Sequence, residues 1–463
     1  MEIRTDMDSQ GGHYAVSRLL LPELDEMLSA APEELEEILE EIHAADLAEL
    51  THELPEERAR LLLSVLPAAL SADVAEYLED ERRSELLGDL PPATAADILE
   101  EMAADERADL LSDLEPHEAE AILGHMEDEE REEARQLLEY PETSAGGLMT
   151  TEYVTLAPTM TVGQALERIR TAAREERETI YAAFVTDGVG RLMGVLSLRD
   201  LLTEEPPALV VETMTTKIIS VGPLADQEDV ARVISKYDLL AVPVLEPETG
   251  RLLGIVTVDD VVDVLVAEST EDAQKMSAIQ SFEEPYFKGN FWTMVRKRGS
   301  WLAVIFVGGS LTGTALRYYE SQLQQAVVLM FFLPLIVSSG GNSGSQSSTL
   351  VTRALALREI EPRDFLKVFA RELRMGLALG LFLGMVGFAR AWMWGEPMSI
   401  RFVVAGGILG VVTAGTLVGA LLPLGLANLG VDPAVTSAPF IATLVDVLGI
   451  VVYLQLARLF LGI

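Results

Sequence analysis

Apolar residues recur every twelve positions through the first third of the chain. Ile42, Leu54, Leu66, Leu78, Leu90, Met102, Leu114 and Met126 form one series. Ile38, Leu50, Leu62, Val74, Leu86, Ile98, Leu110 and Ile122, each four residues earlier, form a second. An apolar pair at i and i+4 marks one face of a short helix. Pro55, Pro67 and Pro91 directly follow the later member of the pair, where a proline ends or redirects a helix. The segment reads as short helices joined by tight turns and stacked around a shared core, an all-α solenoid. One continuous helix is the rival reading, and the prolines oppose it.

After residue 148 the pattern changes. Met149-Thr150-Thr151 recurs as Met214-Thr215-Thr216, and Pro158 recurs as Pro223. Arg191-Leu192-Met193-Gly194-Val195-Leu196-Ser197 recurs as Arg251-Leu252-Leu253-Gly254-Ile255-Val256-Thr257, and Asp200 matches Asp260. Each copy offers a helical stretch, an apolar strand (182–186 and 241–245), a turn, a second strand and a helix, an α/β unit present twice.

Five apolar stretches close the chain, at about 300–319, 325–352, 375–394, 402–427 and 435–461. Each is near or above the roughly 20 residues that cross a bilayer. They predict a transmembrane bundle of five helices. Arg296, Lys297 and Arg298 precede the first, and Arg353, Arg358, Arg363, Lys367, Arg371 and Arg374 fill the loop between the second and third. Basic loops stay in the cytoplasm. The soluble part is therefore expected inside the cell membrane and the C-terminus outside. Trp301, Trp392 and Trp394 stand where interfacial aromatics belong.

Charge divides the chain at the same place as hydropathy. Residues 1–272 hold 64 acidic side chains against 19 basic ones, and residues 273–463 hold 10 against 15. So acidic a body disfavours nucleic acid as a partner, because phosphates need Lys and Arg. Without cysteine there are no disulfides or thiolate metal sites, and the five His (13, 43, 52, 117 and 125) lack the spacing of a zinc centre. The N-terminus lacks the apolar core of a signal peptide.

Particular acids stand out. Asp73, Asp97 and Asp109 recur one residue before the first apolar position of a repeat, and Asp105 lies one turn before Asp109. Carboxylates at i and i+4 repel by a few tenths of a kcal/mol unless a cation sits between them. Asp260, Asp263, Glu268 and Glu271 can share a face of the helix entering the membrane half, and no Lys or Arg lies between residues 252 and 274. That run is either a solvated face or a cation-sensing hinge.

Asp446 lies deep in the last apolar stretch, where insertion scales price a charge at about 2.5–3.5 kcal/mol. Such a carboxylate usually faces a watery pathway, and two copies on a two-fold axis would make a cation-selective ring. The polar run 338–349 in the second span, with Asn342 and Gln346 one turn apart and six serines around them, reads partly as a packing face and partly as a pore wall.

The duplicated segment resembles a pair of CBS domains, on its Met-Thr starts and its Gly-x-[Val/Leu]-[Ser/Thr]-x-x-Asp ends. In such domains Ser197 with Asp200, and Thr257 with Asp260, would contact a nucleotide ribose such as that of ATP. Their alternative is a helix capping box. CBS pairs imply a regulatory module and a homodimer. The whole chain then resembles the MgtE family of magnesium channels or transporters, on Gly340-Gly341-Asn342-x-Gly344-x-Gln346 and Val431-Asp432-Pro433-Ala434 through Pro439, Ala442-Thr443 and Asp446.

The resemblance implies no enzyme but a homodimeric channel in the lipid bilayer. It implies an acidic helical domain at 1–140 and CBS copies at 141–205 and 211–268. A connecting, plug-like helix would occupy 269–298 and a five-helix pore domain 299–463. Mg2+ would be substrate and regulator. Asp446, the Ala442 backbone, Asn342 and Gly341 would line the pore. Asp73, Asp105, Asp109, Glu228, Asp238, Asp260, Asp263, Glu268, Glu271, Asp272 and Asp432 would bind regulatory Mg2+ that closes it. Ala438 stands where some members carry Asn. A CBS-regulated carrier of another divalent cation, gated by nucleotide, is the alternative, and a scaffold without transport would leave Asp446 unexplained.

Overall fold

The computed structural model describes residues 39, 42–174, 180–280 and 290–462, so His13, Ile38 and Phe282 lie outside the described residues. The chain divides into two compact units, Met1–Val266 and Ala267–Ile463.

Among the described residues the first unit carries eight short helices in succession from Ala44: α1 (Ala44–Glu53), α2 (Glu56–Val65), α3 (Ala68–Glu76), α4 (Asp80–Gly88), α5 (Pro92–Glu101), α6 (Ala104–Asp113), α7 (Pro116–Leu123) and α8 (Asp128–Leu137). Pro55, Pro67 and Pro91 are N-caps of α2, α3 and α5, so each proline starts the next helix by ending the last. The repeat residues from Leu50 to Met126 are buried, and Ile42 packs against them. Next-but-one helices form the two layers: α1, α3, α5 and α7 stack in one row, and α2, α4, α6 and α8 in the other. Sequential helices touch less, so the repeating unit is a zigzag rather than a stack of separate hairpins.

The duplicated segment builds two small sheets. In the first, β1 (Val154–Leu156) runs parallel to β2 (Ala182–Thr186), which pairs antiparallel with β3 (Leu192–Ser197). In the second, β4 (Ala241–Leu245) pairs antiparallel with β5 (Leu252–Thr257), and Val221 bridges Val244 in parallel. Helices α9 (Val162–Ala172), α10 (Leu198–Thr203), α11 (Val210–Thr213), α12 (Gln227–Tyr237) and α13 (Val258–Met276) accompany them.

The repeated Met-Thr starts have a structural cause: each lies against the other copy. Thr150 N donates to Ile255 O at 2.9 Å and Ile255 N donates back at 3.0 Å, while Thr215 N donates to Val195 O at 2.9 Å. The repeated glycines make room for the crossing methionines. A Cβ on Gly194 would lie 2.5 Å from Met214 Sδ, and one on Gly254 would lie 2.8 Å from Met149 Cγ.

The solenoid docks on the second copy. Ala104 and Ala108 of α6 and Leu137 of α8 share a core with Val230, Ala231 and Ile234 of α12 and Val261 of α13. Ala145 N and Gly146 N seal the junction by donating to Ala225 O and Pro223 O, both at 2.8 Å.

The second unit contains α14 (Phe291–Tyr318), the short α15 (Glu320–Gln325), α16 (Val328–Ala356), α17 (Phe365–Met393), α18 (Met398–Asn428) and α19 (Ala438–Leu461). Among the described residues five helices, α14 and α16 to α19, are long and apolar enough to cross a membrane. Their ends differ from the expected ones by a few residues in most cases, but α14 starts nine residues early and α17 ten. Charged residues such as Arg296 and Arg371 are written into the first turns of these helices, where hydropathy stops counting. Residues 269–276 belong to the end of α13 and 291–298 to the start of α14.

Packing in this bundle rests on bare backbone. A Cβ on Gly419 of α18 would lie 2.0 Å from Gly344 O of α16, and one on Gly415 would lie 2.5 Å from Gly340 O. Small residues let membrane helices approach this closely, and dispersion contacts then hold them.

Candidate functional site

The last helix is set by a chain break that the sequence encodes with Pro, Ser and Asp. Asp432 accepts from Ala434 N at 2.8 Å, a 3-10 turn covers Pro433–Val435, and Ser437 caps α19 by accepting from Phe440 N at 3.4 Å. Serines of α16 hold this break in place. Ser345 Oγ donates to Ala438 O and Ser348 Oγ to Thr436 O, both at 3.1 Å.

Other serines of α16 hold its neighbours. Ser343 Oγ donates to Gly340 O at 2.9 Å and reaches Val412 O at 3.3 Å, and Ser347 Oγ donates to Glu372 Oε2 at 2.8 Å. The polar run is therefore less of a pore wall than expected. Hydroxyls buried between helices must find acceptors, and these four have done so. Asn342 and Gln346 remain on an exposed face of α16, with Asn342 Nδ2 3.5 Å from Ser338 Oγ.

Three of the expected pore residues meet where α16 crosses α19. A Cβ on Gly341 would lie 3.5 Å from Asp446 Oδ1 and 3.5 Å from Ala442 Cβ. Asp446 is neither sealed nor fully exposed on the single chain, and no ion pair engages it among the described residues. Asn342 is the next residue along α16 from Gly341. A carboxylate beside a glycine leaves room for an ion that keeps its waters, which is how Mg2+ is usually held.

The expected regulatory acids separate into groups. Asp73, Glu228, Asp238 and Asp263 are exposed; Glu228 pairs with Arg232 at 3.4 Å and Asp238 ends α12 in a left-handed conformation. The fold brings Asp105 and Asp109 of α6 to the junction with the second copy, the side on which Asp260 of α13 feels Glu106. Burial, and then Glu106, push the Asp109 carboxyl up to about 7, against the pull of Arg83. Burial pushes Asp260 up to about 6 although the Thr257 hydroxyl donates to it. Negative charge is thus costly at this junction. Glu106, which sequence reasoning missed, is held by Arg83; its signal was its place between Asp105 and Asp109.

A second group lies in the other unit. Glu271 and Asp272 of α13 and Asp432 before α19 surround Lys275, whose Nζ is 3.0 Å from Glu271 Oε2 and 2.9 Å from Asp432 Oδ2. Burial would lower the pKa of this ammonium, but the bonds to Asp432 and Glu271 outweigh it and raise it. Burial and the Asp432 charge hold the Asp272 carboxyl above its usual range. Lys275 also went unnoticed in the sequence, three positions beyond the last acid of the run, although its i, i+4 spacing from Glu271 was the signal. Among the described residues no three His, Asp or Glu side chains converge closely enough to cage a bare metal ion.

Of the ribose-contact candidates, Ser197 and Asp200 form a capping box in this structure. Ser197 Oγ accepts from Asp200 N at 3.1 Å while Asp200 Oδ2 accepts from Ser197 N at 3.2 Å; in the second copy Asp260 Oδ2 accepts from Thr257 N at 3.2 Å.

Family models match most of the chain. Residues 333–456 match the divalent cation transporter model MgtE, residues 42–143 the MgtE intracellular N domain, and residues 145–206 and 210–267 the CBS domain. A magnesium transporter MgtE from Thermus thermophilus is 44% identical over 71% of this chain and 72% of its own length. The chain belongs to the MgtE family of magnesium transporters.

A Bacillus subtilis MgtE is 36% identical over 70% of this chain and 71% of its own. Among solved structures, the soluble part of a magnesium transporter matches with a TM-score of 0.51 and 35% identity, covering 55% of this chain and 99% of that one. The cytosolic domain of the Mg2+ channel MgtE in complex with ATP matches with a TM-score of 0.50 and 43% identity, covering 53% of this chain and all of that one. MgtE proteins are transporters rather than enzymes, and this member is a multi-pass membrane protein with a helical N domain and a CBS pair.

Proposed function

We propose that two copies of this MgtE protein form a Mg2+-selective channel in the cell membrane, and that Mg2+ bound to the acidic soluble part closes it when cytosolic Mg2+ is high. The observation that carries the reading is Asp446, half-exposed within an apolar helix beside Gly341 and Ala442. On a two-fold axis the paired carboxylates, with Asn342 nearby, offer oxygens to a hydrated divalent ion and room for its shell. The basic loops support a cytoplasmic soluble unit and a C-terminus outside.

Gating follows from the same electrostatics. Acids at the junction of α6 with α13, and along α13 to Asp432, repel one another until cations neutralise them. Each ion favours the compact state only by its differential affinity, and about 5.5 kcal/mol in total moves a 1:99 balance to 99:1. Asp73, Asp105, Asp109, Glu228, Asp238, Asp260, Asp263, Glu268, Glu271, Asp272 and Asp432 are the proposed contributors. By analogy with the ATP-bound relative, the CBS pair takes ATP, with Ser197, Asp200, Thr257 and Asp260 as its candidate contacts.

Replacing Asp446 by Ala should abolish Mg2+ uptake into cells or vesicles while membrane expression persists, and unchanged uptake overturns the pathway. For gating, Mg2+ titration should protect residues 130–290 of the full chain from protease.

A further inference from the structure

Lys275 sits in the last turn of α13, four residues from Glu271, and reaches across to Asp432 in the segment that feeds α19. Its ammonium touches both carboxylates at hydrogen-bond distance, and Glu268 and Asp272 add their charge nearby. The local balance is four acids to one base, so a single +1 charge leaves the group under-neutralised. The lysine occupies the position between helix and loop where a divalent ion would otherwise be drawn.

We propose that Lys275 is a tethered cation that clips the end of α13 to the Asp432 loop when divalent ions are scarce, and that a divalent ion must displace it to occupy the same carboxylates. This rests on the gating reading above and adds a metal-free component to it. A monovalent ammonium on a flexible stem is a weak, salt-sensitive clip, whereas Mg2+ brings twice the charge and its own waters. The clip therefore biases the helix end towards the loop without locking it, and it sets a competitor that free Mg2+ must overcome. Half-exposed ion pairs of this kind are worth little each, so the bias is a small multiple rather than a switch.

The absence of native cysteine makes the test clean. Spin labels on cysteines placed at Ser277 and Leu429, both outside the ion-pair group, report the separation of helix end and loop in the full-length protein. In EDTA and low salt, Lys275→Gln should raise the population of long distances about threefold, and Lys275→Glu should raise it further. The exchanged pair Lys275→Glu with Asp432→Lys should restore the short distance. Raising KCl to about 0.5 M, where the Debye length falls below 5 Å, should open the parent protein but not Lys275→Gln. At saturating Mg2+ the parent and Lys275→Gln should coincide. Identical distributions in EDTA would overturn the proposal, as would a Lys275→Gln difference that persists at saturating Mg2+ while Mg2+ does change the parent, which marks a fixed structural defect. If Mg2+ changes nothing in either protein, the gating reading fails, and the EDTA comparison still decides the clip.

Discussion

Gly341 of α16 faces Asp446 of α19 so closely that a methyl group on the glycine would lie 3.5 Å from the carboxylate oxygen. That distance is ordinary contact, so Gly341→Ala should fold and reach the membrane. The methyl would nevertheless take the place of water beside the carboxylate. Mg2+ uptake should fall by about tenfold, about 1.4 kcal/mol in barrier terms, at unchanged protein level. Uptake per molecule, with membrane protein quantified by blotting, checks it.

Gly419 behaves oppositely. A Cβ there would sit 2.0 Å from the Gly344 carbonyl, so α16 and α18 must part to admit it. Gly419→Ala should destabilise the bundle by about 1–3 kcal/mol. Gly425→Ala, on the same helix with open space around it, should be neutral. Thermal aggregation of the two variants in detergent should separate them by several degrees.

The junction between solenoid and second CBS copy should loosen as pH rises. Asp109 and Asp260 are raised to about 7 and about 6 from an ordinary value of 3.8. The folded state therefore holds their protons more tightly than the unfolded state does. Stability is fully present below about pH 4 for these two groups and is lost as pH climbs towards 7. In EDTA the soluble unit should melt a few degrees lower at pH 8 than at pH 6. Asp109→Asn should shrink that gap, and Mg2+ at pH 8 should close it. Differential scanning fluorimetry reads all three.

Glu372 accepts the Ser347 hydroxyl on the inner side of α17. Removing the acceptor strands a buried hydroxyl, at a cost of about 1–3 kcal/mol. Glu372→Ala should therefore lower the detergent melting temperature, and Glu372→Gln, which keeps a carbonyl oxygen, should lower it less. Equal losses in the two would mean that charge rather than the hydrogen bond matters there.

Local periodicity made the solenoid readable residue by residue, because every twelfth apolar position is buried for the same reason. It could not give the pairing of next-but-one helices, which depends on crossing angles that no single repeat encodes. The duplicated Met-Thr and Gly motifs were visible, yet their reason, a methionine crossing into the neighbouring copy, is a long-range contact. In the membrane half Asp446 stood out by its cost alone. The serines of α16 did not reveal which of them faced carbonyls, since composition cannot tell a satisfied hydroxyl from one facing water. Glu106 and Lys275 were hidden by a different effect: each lies within or at the edge of a run of like charge, and only the fold shows which neighbour it serves.

The reciprocal seating of Thr150 on β5 and Thr215 on β3 has a consequence for how such a module can be cut or inherited. A fragment ending between the copies would keep its own sheet but expose an unpaired edge and a methionine-shaped gap over Gly194. Neither piece could mature alone, so any genetic rearrangement that carries one of them has to carry its twin.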